Sequence, residues 1–257
     1  MVRQARQRCE SGVYHVVLRG INRGDIFYDD NDSLRFLETL AQKKRHREYR
    51  LYGYCLMGNH IHLLVQENED TVSRIMSRVG TSYAKWYNQK YGRSGHVFQG
   101  RYGSECIEDD KYLLTVIRYI HNNPVKAGLV QEQEGYRWSS IHAYIGGEEY
   151  PKGLTETEYI LSIFHQNRIK AMGAFQEFMK QEYDDVCLDE AIKRKKTDGE
   201  VQAEIEALMD GEPIGKFQGM EKKKRNAILR TIKSSEGVTL RQIARVTGLN
   251  TMNIYRA

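Results

Sequence analysis

The apolar pattern becomes readable at residues 12–20 (GVYHVVLRG), a β-branched run closed by a glycine at each end, which predicts a strand. After a polar turn, Asn31 or Asp32 offers a cap for a helix over residues 33–46, where Leu34, Leu37, Leu40 and Ala41 recur at helical spacing. The basic run 43–47 suits the C-terminal end of that helix. Residues 49–56 and 60–66 (HIHLLVQ) predict two more strands, and Gly58-Asn59 between them makes a hairpin. Residues 71–91 carry Val72, Ile75, Met76, Val79, Tyr83 and Trp86 on one helical stripe. A fourth strand with a glycine-kinked start is expected over 97–108. A helix over 109–122 should follow, capped by Asp109 or Asp110 and ended by Asn123-Pro124. The order βαββαβ plus a helix predicts an α+β fold: a ferredoxin-like antiparallel sheet with helices on one face.

The pattern changes at Gly146-Gly147-Glu148-Glu149, after which the chain reads as helical and highly charged. Three regions are expected: a domain over 1–147, a helical linker over 148–220, and an all-α segment over 221–257. The last shows two helices and the start of a third, with Val238-Thr239 opening one and Gly248-Leu249-Asn250 forming a tight turn. Ile228, Leu229, Ile232, Leu240, Ile243, Ala244, Val246 and Leu249 supply its apolar positions, the outline of a helix-turn-helix that reads as truncated.

Composition narrows the class. The 257 residues are 40% hydrophobic and 28% charged, with three prolines, which suits a globular chain with room for a second, smaller domain. The net charge of +5 is mild, so its placement carries more information than its size. Cys9, Cys55, Cys106 and Cys187 form no CxxC pair and are expected as reduced, buried or half-buried thiols of a cytoplasmic protein. No apolar run approaches the roughly 20 residues of a membrane span, and the polar N-terminus does not read as a secretory signal.

Two segments carry candidate chemistry. His60 and His62 are two apart on a strand and face one side, which is either half of a divalent-metal site or a pair of surface histidines. Tyr119 and Asn123 are i and i+4 on a helix, placing a phenol beside a hard amide ligand; otherwise Tyr119 is a core aromatic and Asn123 a helix end. Taken together, a metal on His60, His62 and Asn123 can neutralise a phosphodiester while Tyr119 attacks it. A phenol with a pKa of about 10 needs such help at neutral pH. Tyr112, two turns earlier, is the rival nucleophile. His15, on the first strand, either faces this site or is packed in the core.

Cationic side chains cluster as well. No Asp or Glu occurs between Thr71 and Ser104, a stretch that holds Arg74, Arg78, Lys85 and Arg101 among Tyr83, Trp86, Tyr87, Tyr91, Phe98 and Tyr102. Cations track a phosphate backbone and aromatic faces stack on unpaired bases; the alternative is a solvated basic face over core aromatics. Arg101, in a glycine-flanked segment, is the best single phosphate contact. Arg3 and Arg6 form an N-terminal arm that either reaches DNA or stays disordered.

In order along the chain, residues 14–20 (YHVVLRG), 57–65 (MGNHIHLLV), 98–102 (FQGRY) and 119–130 (YIHNNPVKAGLV) resemble the HUH transposases with one catalytic tyrosine, especially the REP-associated tyrosine transposases. The resemblance spans about residues 10–145. It implies His60 and His62 as metal ligands and Tyr119 as nucleophile. Asn123 stands where relatives can carry Gln as third ligand. It also implies a Mg²⁺ or Mn²⁺ cofactor and single-stranded DNA cut beside short hairpins, with the 5′ phosphate joined to the tyrosine and a 3′ hydroxyl released. Both a monomer with the tyrosine in cis and a dimer with it in trans occur among such enzymes. The contrasting expectation is a DNA-binding regulator that uses the C-terminal helix-turn-helix on duplex DNA, with the nuclease fold as a scaffold.

Overall fold

The computed structural model describes residues 9–44, 49–181, 196–235 and 238–256. Arg3, Arg6 and Cys187 lie outside them. The chain divides into two compact units, 1–188 and 189–257.

In the first unit, β1 (Val13–Arg19), α1 (Asp30–Lys44), β2 (Tyr49–Met57), β3 (His60–Glu67), α2 (Val72–Lys90), β4 (Gly103–Cys106) and α3 (Asp110–Lys126) follow in sequence. The four strands form one antiparallel sheet in the order β2-β3-β1-β4, the ferredoxin-like arrangement. β3, carrying both histidines, is therefore an interior strand. Alternation along the strands separates two cores. Val16, Leu18, Ile61, Leu63 and Val65 face α1 and α2, while Val13, Cys55, Met57 and Leu64 face α3.

That second core corrects the expectation of helices on one face. α3 covers the other face, and α4 (Ile141–Ile145), α5 (Glu158–Phe164) and α6 (Arg168–Lys180) pack with it through Tyr144, Ile160, Leu161 and Phe175. Residues 148–181, read from the sequence as the start of a linker, thus belong to the first unit, because their apolar side chains complete this core.

Local chemistry explains the element ends. α1 begins at Asp30, earlier than expected: Asp29 Oδ1 accepts from the Asp32 backbone N–H at 3.1 Å, and the buried Asp32 carboxylate accepts from the N–H groups of Tyr28 and Asp29. Thr71 and Asp109 cap α2 and α3 through side-chain oxygens. β4 is four residues long rather than twelve: Gly95 and Gly100 at φ +92 and +67 bend the preceding segment, which keeps only an isolated bridge from Phe98 to Gly20. α3 runs through Pro124 to Lys126. Burial of His121, Asn122, Asn123 and Pro124 holds that last turn despite the proline's missing N–H.

Cys9 and Cys106 form a disulfide, which corrects the expectation of reduced thiols; 97 residues separate them in sequence, but the pairing of β1 with β4 brings their backbones together. Cys55 is a buried free thiol. Among the described residues no helix is long and apolar enough to cross a membrane.

Gly20 closes β1, and its N–H donates to the Asn59 carbonyl at 2.8 Å, in the turn that leads into His60. A Cβ at Gly20 would overlap the Gly24 carbonyl oxygen. Gly20→Ala is expected to lower stability by about 1–3 kcal/mol, read as a shifted urea midpoint at unchanged slope. An unchanged midpoint would show that the 20–24 turn yields without cost.

Burial, with His142 adding, pushes the His121 imidazole down to about 3, and its Nε2 lies 2.8 Å from Ser140 Oγ. The unfolded chain takes up this proton near the ordinary histidine value while the native state stays neutral. Stability from this group is therefore present above about pH 6.5 and lost as pH falls towards 3. Urea midpoints between pH 7 and pH 4 should fall less steeply in His121→Gln; parallel curves would contradict the assignment.

The second unit holds α7 (Asp198–Leu208), α8 (Lys222–Ser234), α9 (Leu240–Thr247) and α10 (Thr251–Arg256) around Val201, Ile205, Phe217, Leu229, Ile232, Ile243 and Ile254. Its core thus draws on residues from 201 onward, inside the stretch read as linker. Thr239 and Gln242 form a capping box at α9, and Gly248 at φ +69 makes the turn into α10.

Candidate active site

The α3-facing side of the sheet gathers an unusual set of polar side chains. His62 and His15 are both fully buried, on neighbouring interior strands. His62 stands opposite Val17, so His15 is its diagonal neighbour, and the two rings stack 5.3 Å apart. His15 Nε2 lies 3.1 Å from His62 Nδ1. His60 is half-buried two residues before His62, their ring centres 5.0 Å apart. His60 Nδ1 is 2.6 Å from Asn59 Oδ1, while Asn59 Nδ2 donates to the Arg23 carbonyl, which turns the amide oxygen towards the imidazole. Nδ1 of His60 therefore carries the hydrogen.

α3 brings Tyr119 against this pair. Its ring meets His62 edge-on at 5.6 Å and His15 at 5.9 Å, and the tyrosine is 2% exposed. The Lys126 ammonium lies 5.2 Å from the centre of the same ring. Asn123 Nδ2 donates to the Tyr119 carbonyl at 2.9 Å, so the carboxamide oxygen is the donor atom turned away from that bond. Tyr112 sits in the first turn of α3, seven residues and about 10 Å back along the axis.

Burial, with His15, His60 and Arg19 adding, holds the His62 imidazole well below the ordinary histidine value. A neutral imidazole is the form that ligates metals. Among the described residues, the group of His, Cys, Asp or Glu donors close enough to share an ion is Cys9, Cys106 and Glu108, and its two sulfurs are spent on the disulfide. Any ion at the histidines would need the amide oxygen of Asn123, water or substrate oxygens to complete its shell. The imidazoles favour a borderline cation such as Mn²⁺ over Mg²⁺, and the amide oxygen and water are hard ligands that either ion accepts.

The four expected DNA-binding cations gather elsewhere, on the α2 side of the sheet. Arg74, Arg78, Lys85 and Arg101 line one groove of about 930 Å³ between α2 and residues 95–102. Two of them are already paired: Asp70, 8% exposed, holds Arg74 at 3.0 Å and Arg78 at 2.6 Å. Asp70 stands one residue outside the acid-free stretch, which is why sequence reading missed it. Lys85 and Arg101 have no ion pair among the described residues. Tyr83 and Tyr87 are buried in the core, Tyr83 donating to the Ile26 carbonyl, and are not available to stack on bases. Phe98 and Tyr102 line the groove. The groove and the histidines meet at the end of β1, where Leu18 lines the groove and Arg19 is paired with His60.

The chain is similar to several known proteins. The family described as "Transposase IS200 like" matches residues 9–123. A Haemophilus influenzae protein named for the REP-associated tyrosine transposases is 31% identical over 129 residues, 46% of this chain and 73% of that protein. A solved REP-associated tyrosine transposase bound to a REP hairpin is 21% identical, with TM-score 0.47, over 61% of this chain and 90% of that one. A Deinococcus radiodurans structure named as a transposase is 15% identical, with TM-score 0.33, over 47% and 97%.

Proposed function

We propose, from the premise that this chain belongs to the IS200-like, REP-associated tyrosine transposase family, that it is a metal-dependent single-stranded DNA endonuclease and strand transferase working through a phosphotyrosine. The observation that carries the reading is Tyr119 placed edge-on against the buried His62, with His60 beside it. In this reading the Tyr119 Oη attacks the scissile phosphorus. The Oη–P bond forms and the bond to the 3′ oxygen breaks. The phenol proton is lost and the 3′ oxygen gains one, leaving a 3′ hydroxyl and a 5′ phosphate on the enzyme. His60, His62 and Asn123 would hold a divalent cation, Mg²⁺ or Mn²⁺, which when bound neutralises the non-bridging oxygens. Lys126 adds positive charge beside the ring where negative charge develops. Conserving the bond energy in the adduct permits rejoining to another 3′ end, which is transposition chemistry.

The basic groove fits the flanking single strand. Lys85 and Arg101 would carry most of its phosphate contacts, because Arg74 and Arg78 are partly neutralised by Asp70. Lys85→Ala with Arg101→Ala should reduce the slope of log K against log salt by about 1.4 for single-stranded DNA, roughly 0.7 per lost contact. Arg74→Ala should change it less. Equal slopes for wild type and double variant would remove the groove from the DNA path.

The reading is tested by incubating the protein with labelled single-stranded DNA carrying the hairpins that flank its gene, with Mg²⁺ or Mn²⁺, on a denaturing gel. Label migrating with the protein, and lost with chelator, is the expected result. Cut DNA with no attached protein would indicate a water nucleophile. No cutting alongside tight duplex binding would favour a regulator acting through the α8–α10 unit.

A further inference from the structure

We infer that His15 and Glu105 form, with His62, a carboxylate–imidazole–imidazole chain that sets the tautomer of His62 and so makes Nε2 its metal-donor atom; this rests on the cation site proposed above and extends it to two positioning residues on β1 and β4. The register builds the chain. His15 on β1 is directly opposite Glu105 on β4 and diagonal to His62 on β3, so all three side chains emerge on the α3 face. His15 Nε2 is 3.1 Å from His62 Nδ1, and His15 Nδ1 is 3.7 Å from Glu105 Oε2.

One hydrogen lies between the two imidazoles, and it can belong to either. If it sits on His15 Nε2, a His15 ring with no hydrogen on Nδ1 turns a lone pair towards the Glu105 carboxylate, and His62 carries its hydrogen on Nε2, where it cannot ligate. If it sits on His62 Nδ1, His15 turns an N–H towards the carboxylate, and the Nε2 lone pair of His62 is the donor. The negative charge of Glu105 favours the second arrangement. Both rings are fully buried and stacked, with the edge of Tyr119 against each, so neither can rotate to another partner at low cost. His60 reaches the same state independently, through Asn59 Oδ1. Partners that fix the orientation and basicity of a ligand histidine are worth 10–100-fold in metal affinity.

The test has two readouts on the full chain. In the metal-free protein, ¹⁵N-resolved imidazole spectra should show the His62 hydrogen on Nδ1. Direct Mn²⁺ titration should then show binding weakened about 10–100-fold in His15→Phe, which keeps a buried ring but no acceptor. His15→Gln, whose amide oxygen can accept from Nδ1–H, should recover part of that loss. Glu105→Gln, at the half-buried end of the chain, should raise the Nε2–H form of His62 and keeps the test available if His15→Phe does not fold. A wild-type His62 protonated on Nε2 overturns the inference, as do folded variants with unchanged tautomer and Mn²⁺ affinity. A wild-type protein that shows Nδ1–H on His62 yet binds no Mn²⁺ supports the assigned tautomer and overturns the cation site, so the two failures are distinct.

Discussion

Tyr119→Phe is expected to leave a folded protein that binds single-stranded DNA and forms no covalent adduct. The ring stays in place against His15 and His62, and α3 keeps its packing through Val116, Ile117 and Ile120. Losing one buried hydroxyl should change stability by about 1 kcal/mol. Loss of the nucleophile should lower cleavage about 10⁴-fold or more, because among the described residues no other phenol packs against the two imidazoles. Tyr112→Phe should cleave at the wild-type rate: its position lies two helical turns away, in the first turn of α3. Gel assays of both variants beside urea titrations separate a chemical loss from a structural one. Residual cutting by Tyr119→Phe near the wild-type level would mean that water or another tyrosine is the nucleophile.

The two histidines proposed as ligands should behave differently when removed, although their proposed roles towards a cation are alike. His60 is half-buried and held by Asn59, so His60→Ala should weaken Mn²⁺ binding about 100-fold or more while changing stability by less than about 1 kcal/mol. His62 is fully buried, stacked on His15 and bonded to it. His62→Ala should weaken Mn²⁺ binding as strongly and also cost about 1–3 kcal/mol, since it leaves His15 buried without its imidazole partner. Parallel Mn²⁺ titrations and urea curves read both quantities. Wild-type Mn²⁺ affinity in either variant would remove that residue from the ligand set.

The sheet was legible because its strands advertise themselves. β1 is a β-branched run bounded by glycines, β2 and β3 are apolar and aromatic runs joined by a Gly-Asn turn, and the observed ends of all three fall within about two residues of the pattern. The HxH spacing placed His60 and His62 on one face, and the hairpin made their strand an interior one. β4 was overestimated because apolar residues such as Val97 and Phe98 also occur in irregular chain, and only backbone geometry shows Gly95 and Gly100 turning it. The end of α3 was misread for the opposite reason. Pro124 is a local stop signal, and burial of the last turn outweighs it.

What stayed hidden depends on register between distant strands. Nothing local links Glu105 to His15, or Cys9 to Cys106; both pairs meet only because β1 and β4 lie side by side. The covering of both sheet faces was equally out of reach, since the apolar stripes of α3, α5 and α6 do not say which face they cover. The acid-free stretch grouped Arg74, Arg78, Lys85 and Arg101, which the fold brings to one groove. Of the two readings it left open, core aromatics hold for Tyr83 and Tyr87, and Asp70, just outside the stretch, already holds Arg74 and Arg78.

The central claim is that the tyrosine of α3 facing the histidines becomes joined to DNA, and trypsin divides the helix at the useful places. Cleavage after Lys111, Arg118 and Lys126 releases residues 112–118 and 119–126, each with a single tyrosine. We would form the adduct on a hairpin-bearing single strand, digest the DNA to a nucleotide stub, and locate the stub by mass spectrometry. The added mass is expected on peptide 119–126, at Tyr119. The same mass on peptide 112–118, or on a peptide from outside α3, would contradict it.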